Sequence, residues 1–277
     1  MIPAPFEYQR ADSADHAIQL LSGDPDAKIL AGGHSLLPLM RLRLARPTEL
    51  IDITRIEDLK YIREQDDYVA IGALTRHHDV ANSDVLRKLC PIVAHTAAGI
   101  GDPQVRHVGT IGGSVAHADP ASDMPAVLVA LDAEIVVRGP DGASRTVAAT
   151  DFFKGLFEPD LSHDEILTEI RVPKTADRGW SYVKFHRRAQ DWALVGVAAL
   201  APNGFGPAIA LTNMSDRPIR GAGVEEDLAG GADPATAAER AAEGTSPPTD
   251  TFGSAEYRQE LAKVLVRRAI EEAQSRS

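Results

Sequence analysis

The segment KILAGGHSLLP (residues 28–38) joins a short apolar run to a glycine pair, a histidine and a serine. This pattern predicts a strand, a tight turn and the start of a helix. Backbone N–H groups in such a turn can converge on an anion, which the helix dipole also favours. Glycine permits close approach to phosphate because it has no Cβ. The Ser35 hydroxyl is placed to donate to a phosphate or to cap the helix, so an ordinary capped turn is an open alternative.

A second segment, TIGGS (residues 110–114), also has paired glycines followed by a hydroxyl. Two such turns favour one extended ligand, and a diphosphate is the ligand that suits them best. Neither segment has the G-x-G-x-x-G spacing of a dinucleotide turn or the Lys-Ser/Thr of a nucleoside triphosphate loop. The sequence therefore disfavours a Rossmann nicotinamide site and a nucleotide triphosphatase.

Outward from these turns, hydrophobic periodicity predicts alternating helices and strands. Ala14, Ala17, Ile18 and Leu21 recur at helical spacing behind a Ser13 cap. We expect strands at 29–31, 50–53, 68–73, 134–138, 144–148 and 166–172, then three antiparallel strands at 180–185, 193–200 and 208–214. Helices are expected at 92–98 and 122–131, and in a final segment with Leu261, Val264, Leu265 and Ala269 on its inner face. Domain boundaries are predicted near residues 55 and 175.

Composition excludes several classes of function. The formal net charge is −11 and the basic residues are scattered, so the electrostatic footprint of a nucleic-acid-binding protein is missing. The single cysteine, Cys90, can form no internal disulfide and cannot ligate an iron–sulfur cluster alone, so any metal redox centre must lie on another chain. His77, His78 and His117 lack the acidic partners of a metal site. With no targeting segment in residues 1–9 and no long apolar run, we expect a cytoplasmic protein.

The two glycine segments together resemble the FAD-binding (medium) subunits of the molybdenum hydroxylase family, which includes aerobic carbon monoxide dehydrogenase. The similarity extends through residues 41–53, 72–75, 105–132, 165–173 and 184–197. It implies an α+β fold: a two-lobed FAD-binding domain of the vanillyl-alcohol-oxidase type in residues 1–55 and 56–175, then a C-terminal domain in residues 176–277 with a three-stranded antiparallel sheet and helices.

The same resemblance implies a set of cofactor contacts. Residues 31–35 and 110–114 would hold the FAD diphosphate, with His34 donating to phosphate and not shuttling protons. The full set is Ala31, Gly32, Gly33, His34, Ser35, Ile100, Thr110, Ile111, Gly112, Gly113, Ser114, Asp123, Leu167, Lys184 and Trp192. No catalytic residue and no metal ligand is assigned to this chain.

Three of these residues have open alternatives. Asp123 would accept hydrogen bonds from flavin hydroxyls with no competing donor, or would cap the following helix. Lys184 would lie near the isoalloxazine and favour an anionic reduced flavin, or would be a solvated strand lysine. Trp192 would stack on the flavin ring or pack in the core. Leu167 is expected to approach the cofactor through its backbone, and Ile100 through its apolar side chain.

The resemblance implies that electrons leave a larger enzyme through this chain. A large subunit would carry the molybdenum cofactor and a small subunit two [2Fe-2S] clusters, and the resemblance implies a dimer of heterotrimers. FAD would then reduce a quinone, NAD or another acceptor. Two alternatives stay open: a free-standing FAD-dependent oxidoreductase of the same fold, and a non-catalytic FAD-binding or assembly module. The substrate is selected on another chain.

Overall fold

The N-terminal region is a small parallel sheet flanked by helices. The computed structural model describes residues 2–276. The elements are β1 (Glu7–Arg10), α1 (Ala14–Gly23), β2 (Lys28–Leu30), α2 (Leu36–Arg41) and β3 (Glu49–Asp52). The strand order is β1-β3-β2, with both pairs parallel. Ser13 caps α1 by accepting from the His16 N–H at 3.1 Å, and the four apolar residues at helical spacing are buried. The predicted first helix and its cap are confirmed.

The middle region is a five-stranded antiparallel sheet covered by helices. Its strands and hairpin are β4 (Ile62–Glu64), β5 (Tyr68–Gly72), β6 (Glu134–Arg138), β7 (Ser144–Ala148), β8 (Phe153–Gly155), β9 (Glu158–Pro159) and β10 (Ile166–Pro173). Its helices are α3 (His77–Asn82), α4 (Asp84–Leu89), α5 (Pro91–Ala98), α6 (Pro103–Arg106), α7 (Ile111–His117), α8 (Asp123–Ala130) and α9 (Ala149–Phe152). The sheet order is β4-β5-β10-β6-β7, and β8 pairs with β9. Every residue of α8 is buried, so this helix is the centre of the core.

The C-terminal region is an antiparallel sheet with a long helix against it. Its elements are β11 (Trp180–Phe185), β12 (Val195–Leu200), β13 (Ala208–Thr212), β14 (Ile219–Arg220), α10 (Ala222–Ala229), α11 (Pro234–Ala238) and α12 (Ala255–Ser275). The three expected strands are present, but the sheet has four strands in the order β11-β12-β13-β14. The sequence analysis missed β14 because two residues are too few to show alternation.

The C-terminal sheet is buried on both faces. Along β12, Val195, Val197 and Ala199 join a core formed with α12. The alternate residues Ala198 and Leu200 join the core of the middle region instead. Successive strand side chains point to opposite faces, so one strand serves two cores. Helix α8 packs on β12 and β13, which joins the C-terminal sheet to the helix that follows the second glycine segment.

Helix α12 buries a face that differs in part from the predicted one. Leu265 and Ala269 are buried as expected, but Val264 is 46% exposed. Ala262 and Val266 lie inside instead. At about 100° per residue, Val264 falls at the edge of the apolar stripe, where the sequence pattern alone does not decide burial.

Arg258 is the one arginine among residues 2–276 whose side chain is almost wholly buried, at 1% exposure. Its guanidinium donates to the Leu194 carbonyl at 2.6 Å and to the Asp250 carboxylate at 2.7 Å. These bonds tie α12 to the start of β12 and to the turn before the helix. Arg258 therefore fixes the long helix against the C-terminal sheet.

No helix within residues 2–276 combines the length and apolar character needed to cross a bilayer.

Replacing Arg258 with methionine tests this anchor. In the Arg258→Met protein the Leu194 carbonyl keeps only the longer bond from the Asn213 side chain, at 3.4 Å, and Asp250 loses its ion-pair partner. We therefore expect the free energy of unfolding to fall by about 2 to 3 kcal/mol. The matched control is Arg267→Met on the same helix, whose ion pair with Glu271 is about half exposed; a change within about 0.5 kcal/mol is expected there. Urea unfolding followed by circular dichroism measures both, and equal effects would contradict the anchor.

Candidate functional site

The first glycine segment presents unpaired backbone donors. It lies between β2 and α2, and Gly33 has a φ of 73°, a conformation that glycine adopts without strain. Within residues 2–276, the N–H groups of residues 32–35 have no hydrogen-bond acceptor. Ser35 stands at the N-cap position of α2, yet its hydroxyl makes no capping bond. The capped-turn alternative for Ser35 is therefore wrong, and its hydroxyl is free.

The second glycine segment is built differently. Thr110 caps α7, because its Oγ1 accepts from the Gly113 N–H at 3.2 Å. The Ile111 N–H donates to the Thr75 carbonyl, and the Gly112 N–H donates to the Ala73 carbonyl. Ser114 completes the set by donating its N–H to the Thr110 carbonyl. The sequence analysis treated the two segments as equivalent, which is wrong: here the backbone donors are engaged and the side-chain hydroxyls remain.

Gly112 is required by packing. A Cβ at this position would lie 2.6 Å from both the Cβ and the carbonyl oxygen of Ala73, just after β5. Gly112 is buried, and its neighbour Ile111 is fully buried in the core of the middle region. These two residues thus seat the start of α7 on the sheet, which places the hydroxyls of the second segment.

The two glycine segments touch each other. A Cβ on Gly32 would lie 2.6 Å from the Val108 carbonyl oxygen and 2.7 Å from the Gly109 Cα. A Cβ on Gly113 would lie 3.7 Å from the Cβ of Ala31. Backbone atoms can come this close only where no side chain intervenes. The segments therefore form one continuous wall, as the hypothesis of a single extended ligand requires.

His77 lies beneath this wall. The backbone N–H of His77 donates to the Gly109 carbonyl at 3.0 Å, and the imidazole ring lies against Gly109. Burial lowers the pKa of His77 to about 4, with smaller effects of the same sign from the charges of His34 and Arg106. The ring is therefore neutral at pH 7. The sequence analysis gave His77 no role, and only its position next to the second segment in space reveals it.

Arg106 is a further residue that the motifs did not indicate. Its guanidinium donates to the Ile100 carbonyl at 2.9 Å and to the Gly101 carbonyl at 3.2 Å. This fixes the loop in front of the second segment and places Ile100 beside it, partly buried. His78 and His107 stack nearby with ring centroids 3.9 Å apart. Arg106 also contributes a positive charge that acts on His77, whose ring lies against Gly109.

Asp123 and Lys184 form a buried ion pair. The Lys184 Nζ lies 2.9 Å from Oδ2 of Asp123, with side-chain exposures of 11% and 7%. The Tyr182 hydroxyl donates to Oδ1 at 2.7 Å. The alternative that Lys184 is a solvated strand lysine is therefore wrong. The alternative that Asp123 caps α8 is also wrong, because Ser122 holds the N-cap position and Asp123 is the first helical residue.

The expectation that Asp123 has no competing donor is also wrong, because Tyr182 and Lys184 both donate to it. Burial raises the pKa of Asp123, and the nearby ammonium and phenol offset only part of that effect. Burial also raises the pKa of the Tyr182 phenol, which stays protonated and donates. A carboxylate accepts at about four lone-pair positions, so about two remain for a ligand.

Three further predicted residues take no part in the Asp123–Lys184 ion pair. Trp192 is 70% exposed in the loop between β11 and β12, so the core-packing alternative is wrong. Leu167 is buried in β10 beside an irregularity in its pairing with β6, and β10 packs on α7. His34 is exposed next to the free donors of its own segment.

Comparisons with known proteins show the family of this chain. Residues 4–175 match the family of the FAD binding domain in molybdopterin dehydrogenase. Residues 180–273 match the CO dehydrogenase flavoprotein C-terminal domain. The chain is similar to the carbon monoxide dehydrogenase medium chain of Hydrogenophaga pseudoflava, with 42% identity covering 100% of this chain and 99% of that one. It is 41% identical to the glyceraldehyde dehydrogenase medium chain of Sulfolobus acidocaldarius, covering 98% and 99%.

Solved structures give the same result. Carbon monoxide dehydrogenase from Hydrogenophaga pseudoflava superposes with a TM-score of 0.96 at 42% identity, covering 100% of this chain and 99% of that one. Quinoline 2-oxidoreductase from Pseudomonas putida 86 superposes with a TM-score of 0.92 at 34% identity, covering 99% of each chain. The chain therefore belongs to the FAD-binding medium subunits of the molybdenum hydroxylase family.

Proposed function

We propose that this chain binds one FAD non-covalently and carries electrons from the [2Fe-2S] clusters of a partner subunit to an external acceptor. The observation that carries the proposal is the set of unpaired N–H groups in residues 32–35, held against the second glycine segment by the Gly32 contact. A cradle of free donors lined by glycine fits a diphosphate. FAD supplies one- and two-electron redox chemistry when bound.

The two segments have different tasks in binding the diphosphate. Residues 32–35 provide backbone donors, and the Ser35 hydroxyl adds one more. From the second segment, the Ser114 hydroxyl is available, while Thr110 is partly occupied as a cap. Ala31, Ile111, Gly112 and Gly113 set the shape of the wall. The Arg106 guanidinium adds a positive charge that acts on the neighbouring His77, and a positive charge favours a bound anion. His34, exposed beside the free donors, is proposed to donate to phosphate.

Asp123 and Lys184 are proposed to contact the rest of the cofactor. The second segment forms the start of α7, and Asp123 is the first residue of the next helix, α8. The free lone pairs of Asp123 suit hydroxyl donors of FAD. Because Lys184 is paired with Asp123, its attraction for an anionic reduced flavin is smaller than that of an isolated ammonium.

Three residues complete the proposed contacts. Trp192 is exposed and can lie against the flavin ring without disturbing any core. Leu167 would contribute its backbone, since its side chain is buried. Ile100 would contribute an apolar surface held in place by Arg106.

The partners are proposed from the family. Relatives are named as medium chains or subunits of dehydrogenases and of a hydroxylase, which implies complexes with other subunits. We propose a small subunit with two [2Fe-2S] clusters and a large subunit with the molybdenum cofactor, paired as a dimer of heterotrimers in the cytoplasm. A quinone or NAD would accept the electrons. We also propose that residues 1–55, 56–175 and 176–277 are the three structural units of this chain.

Alanine at position 32 tests the cradle. In the Gly32→Ala protein the new Cβ pushes the first segment away from Val108 and Gly109. We expect FAD to bind about tenfold more weakly or worse. The control is Gly23→Ala in the same lobe, where a Cβ meets nothing within 4 Å. Quenching of FAD fluorescence gives both affinities, and thermal melts check folding. Unchanged affinity in a folded Gly32→Ala protein would refute the cradle.

The composition of the native assembly tests the electron-transfer proposal. The chain, tagged and purified from the cells that make it, should carry with it one larger and one smaller subunit. Metal analysis should then give about four iron atoms and about one molybdenum per FAD, since two [2Fe-2S] clusters are expected. A chain that purifies alone, without iron or molybdenum, and that oxidises NADPH with a soluble substrate would instead support the free-standing oxidoreductase.

A further inference from the structure

Tyr182 is buried where the C-terminal sheet meets α8. It lies on β11, and its hydroxyl reaches across to Oδ1 of Asp123 at 2.7 Å. The Thr212 Oγ1 on β13 is 3.4 Å from the same hydroxyl. Both partners are buried, with Asp123 at 6% exposure and Thr212 at 0%. A neutral phenol in this environment is held by specific hydrogen bonds, because a buried polar group without a partner is costly.

The fold leaves space for this hydroxyl at Gly196. A Cβ on Gly196 of β12 would lie only 2.7 Å from the Tyr182 hydroxyl oxygen. The neighbouring strand therefore carries glycine at a position where a side chain would displace the phenol. The phenol, the glycine and Thr212 come from three adjacent strands of the C-terminal sheet.

A second bond holds the same junction. The Asn213 N–H donates to the Pro120 carbonyl at 2.8 Å, just after β13 and just before α8. The Asn213 side chain also donates to the Ala193 carbonyl at 2.8 Å. The start of α8 is thus fixed to the C-terminal sheet at the backbone, while Tyr182 and Lys184 fix the Asp123 side chain.

We propose that Tyr182 is a positioning residue for the cofactor: by donating to Oδ1, it orients the Asp123 carboxylate so that its remaining lone pairs face FAD. This rests on the proposed FAD site. The C-terminal sheet then takes part directly in cofactor binding, since Tyr182 and Lys184, which donate to Asp123, both lie on β11. Lys184 alone would leave Oδ1 without a donor and the carboxylate free to rotate.

The phenol also keeps Asp123 ionised over a wider pH range. The groups that act on this carboxylate are Tyr182, Lys184 and His186, all in β11 or just after it. Burial raises the pKa of Asp123, whereas the hydrogen bond from Tyr182 lowers it. Removing the phenol hydroxyl therefore raises that pKa further, so the carboxylate is protonated at a higher pH. A ligand that needs the ionised form is then lost earlier as the pH falls.

The test is Tyr182→Phe, which removes one hydroxyl and keeps the ring. FAD affinity is measured by fluorescence quenching between pH 5 and pH 9. We expect binding about tenfold weaker at pH 7. The acid-side loss of binding should also move to higher pH than in the wild-type chain, a shift that a merely structural role does not produce.

The matched control is Tyr61→Phe. The Tyr61 hydroxyl likewise donates to a carboxylate, that of Glu169, at 2.6 Å, but Tyr61 lies just before β4 and makes no hydrogen bond to Asp123. Its affinity and pH profile should match the wild type. If Tyr182→Phe does not fold, Gly196→Ala displaces the same hydroxyl and is measured in its place.

A double variant shows whether Tyr182 acts through Asp123. If it does, adding Tyr182→Phe to Asp123→Asn weakens FAD binding no further. Additive losses, or a folded Tyr182→Phe protein with the wild-type affinity and pH profile, would overturn the inference. A wild-type chain that takes up no FAD would instead refute the proposed function.

Discussion

The close contact between Gly32 and the Val108–Gly109 backbone is the constraint on which the site depends. Two segments almost eighty residues apart meet there with no side chain between them. The contact holds the free N–H groups of residues 32–35 next to the hydroxyls of the second segment. Without it, the first lobe would present an isolated turn, and the wall that fits a diphosphate would be lost.

Residues from several parts of the fold hold the two glycine segments in place. Gly112 seats α7 on the middle sheet, His77 supports Gly109 from below as a neutral ring, and Arg106 fixes the loop in front. Beyond α7, the C-terminal sheet places Tyr182 and Lys184 on Asp123. Because α8 shares one core with β12 and β13, the C-terminal region helps to hold the helix that begins at Asp123.

Much of the fold could be predicted from the sequence, because periodicity and glycine spacing are local signals. The capped first helix, the hairpin of β6 and β7, and both glycine segments follow from short windows of residues. The pairing of Lys184 with Asp123 could not be predicted, since it joins two regions far apart in the chain. Nor could the engagement of the Ile111 and Gly112 N–H groups, whose acceptors lie at residues 73 and 75. A motif shows which donors exist, whereas the tertiary structure decides which of them stay free.

The central claim is that the backbone N–H groups of the first segment are free to bind FAD, whereas those of the second are already hydrogen-bonded. Amide hydrogen exchange of the purified chain, with and without FAD, tests it most directly. Residues 32–35 should exchange rapidly in the free chain and become strongly protected when FAD is added, because only then do their N–H groups gain acceptors. Residues 111–114 should exchange slowly in both states, since their donors are already bonded. FAD that binds without protecting residues 32–35, or rapid exchange at 111–114 in the free chain, would contradict the account.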